Sequence, residues 1–258
     1  MLAYDCAGSG HAVLLIHGFP LNRRMWQPQL AALSAAGYQA LAPDLPGFGE
    51  SPPLAGPVSM SRYAEELVRL LDRLEIERVV ACGMSMGGYV LFSLLEHFPE
   101  RVAAAGFIVT RAAGDDAEGK AKRSEMAGTA RSQGAAPVAD VFSELVFAPA
   151  TPRLRPELLD EVRSWMLAAN PEGVAGALEA MRERADYAAR LADITHPSLV
   201  VGALDDRAIP IEQSQELAAG LPNSDLIEID NAGHMVNLEQ PEAFNSALLD
   251  FLAQHYPA

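Results

Sequence analysis

The feature that most restricts the fold of this sequence is an alternation of short apolar runs with helical patterns. Apolar runs of strand length recur at residues 12–16, 38–42, 79–82, 104–109, 198–201 and 226–229. Between them, leucines recur at the spacing of an amphipathic helix, for example at positions 67, 70, 71 and 74. This alternation predicts an α/β fold, with a mostly parallel sheet covered by helices on both faces. Ligands of such sheets bind beyond the carboxyl ends of the strands.

The alternation stops between residues 111 and 190. This segment contains helical patterns without a convincing strand, separated by turns that carry proline or glycine, at residues 140–147, 156–169 and 171–184. We therefore predict a core of residues 1–110 and 191–258, with a helical lid, or cap, inserted at 111–190. Periodicity alone does not distinguish a lid over the carboxyl edge of the sheet from a helical decoration.

Composition sets limits on the class of protein. A chain of 258 residues, 50% of them hydrophobic, can bury one substantial core, so we expect one main domain. A formal net charge of −15 argues against binding to nucleic acid or to anionic lipid, because both surfaces would repel the chain. Small molecules are therefore the expected partners, and the sequence does not indicate an oligomeric state.

Cysteine usage and the N-terminus favour a cytoplasmic protein without a metal. The chain has two cysteines, too few for a disulfide framework, and no His/Cys cluster has the spacing of metal ligands. The N-terminus lacks a basic segment followed by a long apolar one, and no run approaches 18 consecutive apolar residues. We expect two reduced thiols and a cytoplasmic location.

One short run, Gly83-Met84-Ser85-Met86-Gly87, lies between a strand pattern and the helical pattern of residues 89–97. This context is typical of a nucleophile elbow, where a serine stands at the apex of a sharp turn. Side chains two residues before and after the serine would collide, which requires glycine at both places. An ordinary Gly/Ser turn is the alternative, and the flanking elements favour the elbow. Ser85 is the candidate nucleophile, since the N-terminus of the following helix would offer N–H groups to a developing negative charge.

A serine hydroxyl needs a positioned base, and the base needs an acid that fixes its tautomer. His234 is the best placed of six histidines, because its turn follows the last apolar strand and opens at the same edge of the sheet. His17 ends the first strand, and we expect its imidazole to bond to the backbone and shape the loop. Solvated side chains are expected for the other four, His11, His97, His196 and His255.

Asp205 and Asp206 are the candidate acids. They follow the strand at 198–201 and precede Pro210, so they would emerge at the same edge, between the serine and the histidine in chain order. Ser, then Asp, then His is the order expected of such a site. One or both aspartates could instead cap a helix that begins near Pro210. We expect one aspartate to serve each role.

Four motifs together resemble the α/β-hydrolase family, in its small lid-bearing type, over nearly the whole chain: residues 16–20 (IHGFP), 44–51 (DLPGFGES), 83–88 (GMSMGG) and 232–234 (AGH). The resemblance implies Ser85 as nucleophile and His234 as general base and then acid. It also implies an oxyanion hole formed by the backbone N–H groups of Phe19 and Met86. Family dehalogenases and epoxide hydrolases carry aspartate at the elbow, so Ser85 speaks against both activities.

The family pattern leaves the acid open between the two aspartates. Relatives often have Gly-x-x-Asp at the end of the strand, which selects Asp205 when counted from Gly202. Counting from Pro197, or backwards from Pro210, selects Asp206 instead and puts an alanine where the family usually has glycine. Two anchors against one favour Asp206.

The reaction implied by these residues is two-step acyl transfer on a carboxylic ester or lactone, without cofactor or metal. Pro20, which follows His17-Gly18-Phe19, also resembles the cofactor-free haloperoxidase or perhydrolase branch, in which hydrogen peroxide attacks the acyl-enzyme. A non-catalytic small-molecule receptor of the same fold is the alternative from another class. A lyase that uses the same triad as a base is a third possibility.

The sequence constrains the substrate less. Arg111 ends the strand before the lid, where it could meet a substrate carboxylate or pair with Asp115 or Asp116. With Ala112-Ala113 it resembles members described as esterases or 3-oxoadipate enol-lactonases. An apolar acyl pocket could be lined by a set of aromatic and methionine residues, although residues of this kind at helical spacing are more often core: Phe19, Trp26, Met84, Met86, Phe142, Phe147, Trp165, Met166 and Met235.

Overall fold

A computed structural model describes residues 1–258 as a seven-stranded sheet with helices on both faces. The strand order is β1-β3-β2-β4-β5-β6-β7, and every pairing is parallel except that of β1 with β3. This confirms the predicted fold class. The strands are β1 (Tyr4–Ala7), β2 (Ala12–Ile16), β3 (Gln39–Pro43), β4 (Val79–Met84), β5 (Val102–Ile108), β6 (Ser198–Ala203) and β7 (Ser224–Ile229).

Eleven α-helices connect and cover these strands. Three short 3₁₀ helices, at Arg23–Trp26, Pro99–Arg101 and Ala188–Asp193, complete the regular structure. The α-helices are α1 (Gln27–Ala35), α2 (Met60–Arg73), α3 (Met86–His97), α4 (Ala117–Gln133), α5 (Ala136–Leu145), α6 (Thr151–Leu154), α7 (Pro156–Leu167), α8 (Pro171–Arg182), α9 (Ile211–Gly220), α10 (Val236–Glu239) and α11 (Pro241–His255).

Burial on both faces of the sheet explains why the central strands are continuous apolar runs. Along β2, Val13 and Leu15 belong to one hydrophobic cluster, whereas Leu14 and Ile16 belong to another. All four side chains are fully buried. Because successive side chains of a strand point to opposite faces, a strand covered on both sides has no polar position.

All six predicted strands are present, and the structure adds β1, which the sequence did not indicate. β1 is an antiparallel strand at the edge of the sheet, with the sequence Tyr-Asp-Cys-Ala and alternating exposed and half-buried residues. An edge strand with a solvated face needs no apolar run, so its pattern lacks the signal that identified the others.

The chain between β5 and β6 forms α4 to α8 and the last 3₁₀ helix, with no strand. We call residues 111–190 the helical segment; that it acts as a lid stays a prediction. Its first helix, α4, is absent from the predicted set because its only buried residues are Ala127 and Ala130, which give no apolar periodicity. It packs against α8.

The cysteines are both free thiols, with Cys6 exposed and Cys82 buried in β4. Burial raises the pKa of the Cys82 thiol to about 12. None of the helices combines the length and the apolar composition that crossing a bilayer requires.

Candidate active site

The turn between β4 and α3 places Ser85 in a strained conformation. Its φ of 53° and ψ of −114° lie in a region that residues with a side chain rarely adopt. The Ser85 N–H donates to the Ile108 carbonyl at 2.9 Å, and the Thr110 hydroxyl donates to the Ser85 carbonyl at 2.8 Å. These bonds to β5 and the residues after it hold the turn in place.

The glycines on either side of Ser85 have no room for a side chain. A Cβ at Gly83 would collide with the carbonyl group of Gly87, and a Cβ at Gly87 would collide with the carbonyl of Ile16. The turn is sharp enough to bring the two glycines together, as the sequence predicts for an elbow. Because neither glycine carries a side chain, the turn can close tightly with Ser85 between them.

His234 and Asp206 form a buried pair at the same edge. The Nδ1 of His234 donates to Oδ2 of Asp206 at 2.7 Å, and the two side chains are 4% and 0% exposed. The other carboxylate oxygen, Oδ1, accepts from the backbone N–H groups of Ala208 at 2.7 Å and Ile209 at 3.0 Å. Because Nδ1 carries the proton in this bond, Nε2 of neutral His234 is left free to accept one.

The expectation that one of the two aspartates caps the following helix is wrong. Helix α9 begins at Ile211 after Pro210, and no side chain caps it. Asp205 is exposed, and only its backbone N–H makes a bond in this turn, to the carbonyl of Ala232 at 3.0 Å. Asp206 instead serves two purposes, because it orders the turn with one oxygen and holds His234 with the other. This geometry favours Asp206 over Asp205 as the acid.

His17 shapes its loop through the backbone, as predicted. Its Nδ1 donates to the carbonyl of Gly18 at 2.9 Å, and its Nε2 accepts the N–H of Leu45 at 2.9 Å. Burial lowers the pKa of His17 and keeps the ring neutral, although Gly18 and Asp44 oppose this effect. With both ring nitrogens in use, His17 has no free site for a proton-transfer role.

The candidate oxyanion donors lie on two sides of Ser85. Met86 is the first residue of α3, and the N–H groups of a first helical turn have no partner within the helix. The loop that carries Phe19 packs against the elbow, since a Cβ at Gly18 would lie 3.4 Å from the Cβ of Ser85. Both backbones are near the serine, and their function as oxyanion donors stays a prediction.

Ser85 and His234 open into one cavity of about 480 Å³. Most of its remaining wall comes from the helical segment, which contributes both apolar and charged side chains. Of the nine residues predicted for an apolar pocket, Phe19 and Phe142 line this cavity. The others are buried in the hydrophobic core, because they face the layers between sheet and helices: Trp26, Met84, Met86, Phe147, Trp165, Met166 and Met235.

Arg111 also lines the cavity, and it pairs with a local acid at the same time. Its Nη2 donates to Oδ1 of Asp115, whereas Asp116 caps α4 by accepting the N–H of Gly119 at 2.8 Å. The two roles suggested by the sequence are therefore compatible. Asp115 has further arginine partners that the sequence did not indicate, Arg123 and Arg184.

Glu239 is a buried residue near the site that the sequence analysis missed. Its carboxylate accepts from the N–H of Gly233 at 2.8 Å, from the N–H of Ala148 at 2.9 Å and from the hydroxyl of Thr151. Burial raises the pKa of Glu239, which has no cationic partner. It joins the turn of His234 to the helical segment. Its partners lie up to 91 residues away in the chain, so no local pattern marks it.

Comparison with known proteins identifies the family of this chain. Residues 11–241 match the family model of the alpha/beta hydrolase fold. The chain is 32% identical to 3-oxoadipate enol-lactonase 2 from Acinetobacter baylyi, over 92% of this chain and 86% of that protein. A thermophilic esterase from Thermogutta terrifontis, solved with malate bound, has a TM-score of 0.96 and 36% identity, over 98% of this chain and 94% of that one. The enol-lactonase from Burkholderia xenovorans LB400 has a TM-score of 0.90 and 28% identity, with 98% and 96% covered.

Proposed function

Because the chain belongs to the α/β-hydrolase fold family and is a hydrolase, we propose that it cleaves carboxylic esters or lactones through a covalent acyl-enzyme. The observation that carries this proposal is a serine and a histidine on the wall of one cavity, with a carboxylate behind the histidine. A strained serine and a histidine line its wall, and the Nδ1 of that histidine is held by a buried carboxylate.

The proposed first step forms the acyl-enzyme. The hydroxyl oxygen of Ser85 attacks the carbonyl carbon, and Nε2 of His234 takes the hydroxyl proton. Asp206 stabilises the imidazolium that results. The N–H groups of Phe19 and Met86 bind the oxyanion, and its collapse expels the alkoxide, which takes the proton from His234.

The proposed second step releases the acid. A water molecule gives a proton to Nε2 of His234 and attacks the acyl carbon, and the bond to Ser85 breaks as the serine oxygen takes the proton back. In a lactone the alkoxide and the acyl group belong to one molecule, so the product is a hydroxy acid, or, when the lactone is an enol lactone, the keto acid that its enol becomes. No step requires a metal ion or an organic cofactor.

Two observations favour an ester or lactone hydrolase over a receptor of the same fold. The backbone of Ser85 is held where strain costs roughly 1–3 kcal/mol, and a receptor has no physical need for this cost. The similar proteins named above are an esterase and two enol-lactonases. The peroxide-using branch needs the same acyl-enzyme, and its occurrence here stays a prediction.

Release of p-nitrophenol from short and medium acyl esters tests the proposal. We expect turnover by the wild type and a loss of at least about 10⁴-fold in Ser85→Ala. The control is Ser132→Ala, since the Ser132 hydroxyl bonds to the carbonyl of Gly128 on the surface of α4, outside the cavity. A wild-type protein that turns over neither esters nor lactones would contradict the proposal. Added peroxide would reveal peracid formation, and product without oxygen from labelled water would indicate a lyase.

A further inference from the structure

One end of the cavity is cationic. Arg111, Lys122 and Arg123 line it together with one carboxylate, that of Asp115, and Lys122 is also paired with Glu118 at 2.6 Å outside the cavity. Arg207 also lines the cavity, and its Nη2 donates to the backbone carbonyl groups of Glu144 and Phe147, not to a carboxylate. This concentration of positive charge contrasts with the whole chain, whose formal net charge is −15. Positive groups at the wall of a cleft attract anions into it.

The carboxylate of Asp115 is shared by three arginines. Arg111 and Arg184 donate to Oδ1, Arg123 donates to Oδ2, and the side chain of Asp115 is only 2% exposed. Burial opposes ionisation, but the bonds from Arg184 and Arg123 outweigh it and hold the pKa of Asp115 well below its usual range. Asp115 is therefore ionised, and the cluster keeps two positive charges in excess.

Arg111 and Arg123, the two arginines of this cluster that line the cavity, both have donors to spare. Arg111 bonds to Asp115 through Nη2 alone, and its Nε is buried without a hydrogen-bond partner. Arg123 bonds through Nε and makes a further contact from Nη1 to the Met181 sulfur at 3.4 Å. Arg184 also has a buried Nε without a partner, but it lies over the ring of Tyr89 and does not line this cavity. The Nη1 of Arg111 and the Nη2 of Arg123 make no hydrogen bond and are not buried, so the oxygens of a ligand can bond to them.

A purely structural ion-pair network does not account for this excess. Elsewhere in the helical segment, carboxylates are at least as numerous as the arginines that they pair with. Arg131 forms ion pairs with both Glu172 and Glu179, and Arg163 forms one with Asp140. At the cavity the ratio is reversed, so the arginines repel one another unless another anion joins them.

We propose that Arg111 and Arg123 form a carboxylate-binding subsite, and that the substrate is an ester or lactone whose acyl part carries a second, ionised carboxyl group. This inference rests on the proposed function for the position of the ester bond at Ser85. The planar guanidinium group presents parallel N–H donors that match the two oxygens of a carboxylate. The subsite would thus orient the acyl chain with its reactive carbonyl at the serine.

The test compares two activated esters of similar size. Mono-p-nitrophenyl adipate carries a free carboxylate, and p-nitrophenyl heptanoate does not. We expect the wild type to prefer the adipate ester in kcat/KM, and we expect Arg111→Gln and Arg123→Gln each to lower this preference on the order of tenfold. Either variant leaves Asp115 with two arginines, so both should fold. The matched control is Arg131→Gln, in the same helix as Arg123 but outside the cavity, which should keep the wild-type preference.

Calorimetric titration with adipate separates this inference from the proposed function. We expect binding by the wild type and by Arg131→Gln, with weaker binding by Arg111→Gln and Arg123→Gln. If the wild type cleaves neither ester, the proposed function fails, and the titration still decides the subsite. No adipate binding by the wild type, or equal preference ratios in all variants, would overturn the subsite. Tighter binding of inorganic phosphate than of adipate would overturn its assignment to carboxylates.

Discussion

The sheet edge and the helical segment meet at one cavity, and they differ in how closely their glycines pack against neighbouring atoms. At the sheet edge, Gly83 and Gly87 pack against backbone atoms. In helix α4 of the helical segment, a Cβ at Gly128 would meet nothing within 4 Å. The edge holds the groups that would perform the chemistry, whereas the segment supplies the charged wall that would select the substrate. We therefore expect substitutions at the edge to abolish activity or folding, and those in the segment to change preference.

The largest effect on rate should come from the acid at the sheet edge. Asp206→Asn removes the acceptor that fixes the tautomer of His234, and we expect a loss on the order of 10⁴ in kcat. Asp205→Asn changes an exposed neighbour that does not contact His234, and should have little effect. Steady-state kinetics of both variants would show this ranking. The reverse ranking would reassign the acid to Asp205.

The second prediction compares one glycine from each region. Gly87→Ala drives a Cβ into the carbonyl groups of Ile16 and His17, so the elbow must move and we expect at least about 4 kcal/mol of destabilisation. Gly128→Ala adds a methyl group to an exposed helical position and should stabilise by about 0.5–1 kcal/mol. Urea unfolding measures both variants. Similar values for the two would remove the contrast between the regions.

The third prediction concerns Glu239, which joins the turn of His234 to the helical segment. Glu239→Ala leaves two buried N–H groups and one hydroxyl without their acceptor, and we expect a loss of about 3 kcal/mol in unfolding free energy. Thr151→Val removes only one of the two bonds from the helical segment and leaves that of Ala148, so it should cost about 1 kcal/mol. It leaves the bond to Gly233 and therefore should keep most of the activity. A Thr151→Val variant as damaged as Glu239→Ala would show that Glu239 does not act through Gly233.

The sheet edge was largely predictable because its signals are local. The central strands are buried on both faces and appear as apolar runs, and the elbow requires glycines at fixed places around Ser85. The choice of Asp206 over Asp205 rested on spacing alone, and the bond to His234 supports it. The expectation that one aspartate caps this helix failed because Pro210 itself holds the N-cap position of α9, so both aspartates lie too far before the first helical turn.

The helical segment was less predictable because its contacts are distant or small. Helix α4 packs through alanines, which give no periodic signal. Core and cavity residues have the same composition, so Trp165 and Met166 could not be separated from Phe142 before the fold was known. In the three-arginine cluster, Arg184 lies 69 residues from Asp115 in the chain, and only the folded chain brings them together.

The central claim, that Ser85 is a nucleophile activated by His234 and Asp206, is tested most directly by covalent labelling with a fluorophosphonate. The adduct would be located by mass spectrometry of the proteolysed wild type, with Ser85→Ala and His234→Ala treated in parallel. The account predicts one adduct per chain, on Ser85, with none in Ser85→Ala and a greatly slowed reaction in His234→Ala. An unlabelled wild type, or a label on another residue that persists in Ser85→Ala, would contradict it.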